Sequence, residues 1–189
     1  MKALLFALAL FVIALDGHAG KYPREAVVKV EVPMGGSGSA VVLQKDLMLT
    51  ARHVADNEGL VLSAGGAAIK VVETHASYDV AAIKGAVRCP CAEMAASDAK
   101  LDEMVTIIGW PNGIANQVVR GEAQGLHDIP GWGRMLVVAV ATEGGNSGGG
   151  AFVMRDGRWQ LVGILVAGSK TQSLVVPIST IRKWFEGRK

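Results

Sequence analysis

The chain has 189 residues, a formal net charge of +2 and 50% hydrophobic residues. That length can bury a good core in one compact unit, or in two small halves that share an interface. The charge is too near neutral, and too free of basic runs with interleaved aromatics, for a nucleic-acid partner.

Lys2 is followed by an uncharged apolar run over residues 3–15 and then by Asp16-Gly17-His18-Ala19-Gly20. A short positive start, a hydrophobic centre and a small-residue exit read as a secretory signal peptide over residues 1–19. Cleavage after Ala19 leaves a mature domain over residues 20–189, exported to a periplasm or secreted, with no stable membrane insertion. An uncleaved anchor is the alternative, although the run falls short of the about 20 apolar residues that a spanning helix needs.

From Arg24 the pattern is mostly β. In residues 26–32, Val28, Val30 and Val32 alternate with Lys29 and Glu31. Further strands are predicted over residues 39–43, 47–51, 60–63, 68–73 and 80–83, with Gly65-Gly66 as a hairpin turn. Residues 85–102 read as a connector. It holds Cys89 and Cys91, which flank Pro90 and are either free thiols or a tight local bridge. A second set is predicted over residues 104–109, 117–125, 135–141, 150–154, 159–167 and 173–176, with a hairpin at Asp156-Gly157. Residues 177–185 read as a helix, with Pro177 at its start and Gly187 past its end. Short strands with almost no helical period predict an all-β barrel or sandwich.

Residues 143–150 read Glu-Gly-Gly-Asn-Ser-Gly-Gly-Gly. Such a stretch suits neither a strand nor a helix interior, because glycine costs backbone entropy and adds no packing. It suits a sharp turn that aims successive N–H groups at one point and presents Ser147 as a nucleophile. A flexible linker is the plain alternative. Serine needs a base, and the base needs a carboxylate to orient it. His53, in Thr50-Ala51-Arg52-His53-Val54, and Asp79, in Tyr78-Asp79-Val80-Ala81, precede Ser147 in the order His, Asp, Ser. Asp56 and Asp98 are the competing carboxylates. His18 falls in the leader, and His75 and His127 sit in polar, turn-like surroundings that predict solvated side chains.

These three segments resemble the signatures of the trypsin-like serine peptidases. Gly145-Asn146-Ser147-Gly148-Gly149 is most similar to the bacterial periplasmic heat-shock proteases of the Deg type. Gly36-Ser37-Gly38-Ser39-Ala40 and Ile107-Ile108-Gly109-Trp110-Pro111-Asn112-Gly113 add to the likeness, which covers about residues 24 to 185. The resemblance implies two six-stranded antiparallel β-barrels with a C-terminal α-helix and an active site in the cleft between them. Residues 24–84 form the first barrel, 85–102 the connector, 103–177 the second barrel and 178–186 the helix. Nothing after the helix corresponds to the peptide-binding module of multidomain Deg proteases.

The implied activity is a serine endopeptidase acting on protein or peptide substrates. His53, Asp79 and Ser147 are its catalytic residues, and the N–H groups of Gly145 and Ser147 form its oxyanion hole. Asn146 stands where digestive relatives carry an aspartate that pairs with a freed N-terminus, so that route of activation is not expected. Ala141 falls at the floor of the primary pocket, with Thr142 beside it, and Leu165, Val166, Ala167 and Gly168 pair with the substrate backbone. A small or aliphatic side chain is therefore expected there. No metal and no organic cofactor is implied. An esterase with the same triad, or a latent binding module on the same fold, are the other readings.

Overall fold

The structure, a computed structural model, describes residues 22–32, 36–56, 63–64, 66–88 and 90–187. The expected leader, Gly65, most of the strand expected over 60–63, and Cys89 lie outside the described residues. No helix among those described is long and apolar enough to cross a membrane.

Six strands close the first barrel: β1 (Val27–Val32), β2 (Gly36–Gln44), β3 (Leu47–Thr50), β4 (Ser63–Ala64), β5 (Ala67–Thr74) and β6 (Ala81–Gly85). Their order around it is β1-β2-β3-β6-β5-β4. The register puts Val27 opposite Val41, Val41 opposite Leu49, and Leu49 opposite Ala82. Each of these four is buried, so the interior is filled by branched and small side chains from neighbouring strands. The alternation read for β1 holds only in part. Val27 and Val30 are buried, while Val28 is half-buried. Val27 lies beside Trp110, whose indole N–H donates to the Val27 carbonyl at 3.1 Å.

A two-residue strand, β7 (Glu93–Met94), precedes the second set: β8 (Met104–Gly109), β9 (Gln117–Ile129), β10 (Gly133–Val138), β11 (Gly150–Arg155), β12 (Arg158–Gly168) and β13 (Ser173–Pro177). Their order is β11-β8-β9-β10-β13-β12-β7, and a further pairing of β11 with β12 joins the ends of the six long strands. Asp156 and Gly157, with φ of 51° and 73°, make the tight turn between β11 and β12. β9 runs four residues past its expected end. β10 stops at Val138, before the expected 141, and so frees residues 139–142 to lead into the glycine loop.

The connector is more structured than its composition suggests. β7 pairs in parallel with Gln160 and Leu161 of β12, the one departure from the antiparallel pattern among the described strands. Ala92 N–H donates to Val42 O at 2.7 Å, so this segment touches the first barrel as well. Arg155 fixes its second half. The guanidinium donates to both Glu103 carboxylate oxygens, at 2.8 and 2.7 Å, and to the Ser97 and Asp98 carbonyls. That bidentate pair holds the Glu103 carboxyl below its usual range, against the opposing effect of burial. Cys91 is disulfide-bonded, which removes the free-thiol alternative for it.

The chain ends on helix α2 (Ile178–Glu186), after the single helical turn α1 (Arg52–Ala55) in the first barrel. Pro177 precedes α2, and the Ser179 N–H at its first turn donates to Asp98 Oδ1 at 2.8 Å. Ile178 and Ile181 bury its inner face. Side chains from both barrels, among them Val41, Leu49, Ile83, Ile108, Phe152 and Leu165, form one continuous core.

Candidate active site

β3 carries buried Leu49 and Thr50 to the edge of the first barrel, where α1 follows at once. Val54 and Ala55 point α1 inward. His53, on the same turn, keeps 49% of its side chain exposed. Asp79 precedes β6, with buried Val80 as its anchor. The carboxylate, only 14% exposed, accepts from the His53 backbone N–H through Oδ1 at 2.9 Å and meets His53 Nδ1 through Oδ2 at 2.6 Å. A carboxylate at that distance takes the Nδ1 proton as a hydrogen bond, which leaves Nε2 with its lone pair. Burial opposes the charged form of Asp79. The His53 hydrogen bonds and charge, with Arg52 behind them, outweigh it and lower the Asp79 pKa.

The competing carboxylates are engaged elsewhere. Asp56 faces Arg52 at 3.8 Å, and Asp98, in the connector, accepts from the Ser179 N–H of α2. His127 is exposed as expected. His75 is only partly solvated. It is half-buried, with its ring 5.1 Å from Tyr78 and 5.4 Å from Trp184 of α2, a partner far along the chain.

Ser147 sits on a loop folded by its glycines. Asn146 N–H donates to Glu143 O at 3.2 Å, and Gly145 has φ of 90°, which gives a turn of type II. Gly148, with φ of 85°, packs so tightly that a Cβ there would collide with the Ser39 carbonyl and the Thr50 hydroxyl. Only glycine meets both demands. This contact sets the Ser147 loop against the strands that lead into His53. A Cβ on Gly38 would likewise lie 2.6 Å from Val54 and 3.3 Å from Ser147 O.

The carbonyls of Gly144, Gly145 and Ser147 are held by neighbouring segments. Asn112 N–H donates to Gly144 O at 2.9 Å, and Ser39 N–H to Ser147 O at 2.8 Å. Ser39 Oγ donates to Gly145 O at 2.8 Å and accepts from Trp110 N–H at 2.9 Å. Successive N–H and C=O groups of a turn point to opposite sides. With those carbonyls held, the Gly145 and Ser147 amides have no hydrogen-bond partner among the described residues, and neither has Ser147 Oγ. Asn146 is buried at 2% exposure beside Gly109. An aspartate there would need a cation, and an amide does not. Ser39 is the residue sequence reasoning missed. The Gly-Ser-Gly-Ser-Ala stretch was its only signal.

The specificity segments are less uniform. Ala141 is exposed and Thr142 half-buried. Leu165 and Val166 are buried, Ala167 is half-buried and Gly168 exposed. Leu165 is held by the glycine loop, accepting from Gly148 N–H at 2.7 Å and donating to Gly149 O at 2.9 Å. The Ser173 hydroxyl donates to Val140 O at 2.8 Å, so Thr142 Oγ1, 2.9 Å from it, is the donor of that pair. A Cβ on Gly168 would collide with Thr142 Oγ1. An open cleft of about 570 Å³ runs over His53 and Asp79, lined also by Arg52, Ser77, Trp132 and Val166. Trp132 comes from the turn between β9 and β10 and was not singled out by the sequence. Ser147 is not part of this lining.

A family model for a trypsin-like peptidase domain matches residues 36–164. No curated protein matches the chain in sequence. Among solved structures, the inactive form of Rv3671c from M. tuberculosis is similar at 20% identity and a TM-score of 0.72, over 87% of each chain. A serine endoprotease from Yersinia pestis is similar at 22% identity and 0.73, over 87% of this chain and 63% of its own. The HtrA-type protease AlgW, bound to a tripeptide, is similar at 19% identity and 0.75, over 86% of this chain and 60% of its own. At these identities the likeness speaks for the fold.

Proposed function

Because the chain belongs to the trypsin-like peptidases, we propose that it is an exported serine endopeptidase whose nucleophile is Ser147, with His53 as base and Asp79 as the base's orienting carboxylate. His53 Nε2 takes the Ser147 Oγ proton as Oγ adds to the scissile carbonyl. It returns that proton to the departing amine, and water then releases the acyl group by the same path in reverse. The Gly145 and Ser147 amides receive the oxyanion. One observation above all carries this reading: the Asp79 carboxylate grips His53 by both its backbone N–H and its ring. The Asn112 bond to Gly144 O favours a competent loop over a latent one. The Thr142 and Ser173 hydroxyls are engaged with one another and with Val140. They leave a neutral wall that suits a small or aliphatic side chain.

The test uses the mature chain from Gly20, a fluorophosphonate probe and unfolded casein, beside Ser147→Ala. Labelling and cleavage are both expected in the parent and both absent in the variant. Labelling without cleavage of casein would replace the endopeptidase with an esterase or a narrowly specific protease. Cleavage that survives in Ser147→Ala would end the assignment of the nucleophile.

A further inference from the structure

Asp79 reaches His53 from a short loop, residues 75–79, between β5 and β6. One side chain folds that loop. The His75 ring nitrogen Nδ1 faces two backbone donors, Ser77 N–H at 3.0 Å and Tyr78 N–H at 3.2 Å. Two N–H donors leave Nδ1 the acceptor's role alone, so the imidazole is neutral with its proton on Nε2. The His75 backbone closes the base of the loop through its N–H to Val80 O at 2.9 Å, and Arg52 donates to its carbonyl at 3.2 Å. The loop is thus built like an Asx turn, in which a side-chain acceptor gathers the N–H groups two and three residues on. Here the acceptor is one that a proton can remove.

We propose that His75 is a positioning residue for Asp79: its neutral ring holds the loop that delivers the carboxylate to His53, and protonation of Nδ1 releases that loop and lowers activity. This rests on Asp79 acting through His53 as set out above. The charged groups facing the ring are Arg52 on α1, itself opposite Asp56, and Glu73 on β5, while α2 presents the neutral indole of Trp184. Burial, then Arg52, lowers the His75 pKa below its usual value, against a smaller opposing effect of Glu73. The ring is therefore neutral at neutral pH and takes its proton only below the usual imidazole value.

The experiment compares the acid limb of kcat/KM against pH, with a peptide ester as probe substrate, in the parent, His75→Ala and His75→Asn. The asparagine Oδ1 accepts the same two N–H bonds and does not titrate. Protonation of His75 is expected to add a further ionisation to the parent's acid limb and make it steeper as pH falls. His75→Asn, which cannot take that proton, is expected to show the shallower limb and a rate near the parent's at neutral pH. His75→Ala is expected to lose about 10²-fold in kcat, as displaced catalytic groups do, with KM little changed. A parent and an asparagine variant with the same limb would overturn the proposal, even if the alanine variant fails to fold. Asp79→Ala and Ser147→Ala run alongside. If either keeps the parent's rate, the site assignment itself has failed. If both are inactive while His75→Asn titrates like the parent, the failure belongs to His75 alone.

Discussion

The three candidate catalytic residues differ in how firmly they are held. His53 is half-exposed, yet its ring has one partner that fixes its tautomer. Asp79→Asn keeps the shape of the side chain and presents a donor where the ring needs an acceptor. The expected loss in kcat is about 10⁴-fold with folding retained, read by ester hydrolysis and thermal denaturation. The same substitution has a signature in pH. The folded Asp79 pKa lies below its ordinary 3.8, so its contribution to stability is present above that value and is lost as pH falls through the folded pKa. The stability gap between parent and Asp79→Asn should therefore close in strong acid. These candidates could be picked from the sequence because acyl transfer demands their types in a characteristic order. His75 and Ser39 could not. A histidine's solvation depends on Trp184, and a serine's role on Gly145, and both partners are distant along the chain.

At the level of elements, the strands of both barrels were legible from alternation and turn residues, and α2 from Pro177 and Gly187. What was missed depends on pairing across the molecule. β7 is two residues long and exists because β12 offers it an edge. The extra length of β9 is templated by β10, which continues its pairing to Ile129 opposite Gly133. The turn over Pro111–Gly113 has the clearest consequence for activity. It abuts Gly145 so closely that a Cβ there would lie 2.5 Å from Trp110 O and 2.6 Å from Asn112 N. Gly145→Ala, at a φ of 90°, must push this turn away or flip its own peptide. Either outcome displaces the Gly145 amide from the proposed oxyanion hole. We expect kcat to fall about 10²–10³-fold, with KM for a short peptide ester nearly unchanged. Unaltered turnover would show that the Gly145 amide is not part of the hole.

At the scale of the whole molecule, one barrel holds the other's glycine loop in place. Ser39 belongs to the first barrel, yet its N–H and hydroxyl grip two carbonyls of the second barrel's glycine loop. Ser39→Ala keeps the backbone bond and strands the Gly145 carbonyl and the Trp110 N–H. Leaving buried polar groups unpaired costs about 1–3 kcal/mol, so urea unfolding should shift by that amount. Probe labelling of Ser147 should slow with it. An unchanged urea midpoint together with unchanged labelling would mean the loop stands without its clamp. The two-barrel plan and its cleft followed from the motifs, whereas this dependence between barrels needed coordinates.

The same interlocking gives the chain a direction in time. α2 is translated well after the first barrel, yet its Trp184 packs against His75 and donates to Glu73 in that barrel at 2.7 Å. A nascent chain on the ribosome can pair every strand of that barrel and still lack the indole that seats the loop bearing Asp79. The loop bearing Asp79 is therefore fully seated only once α2 has been made and has docked on the first barrel.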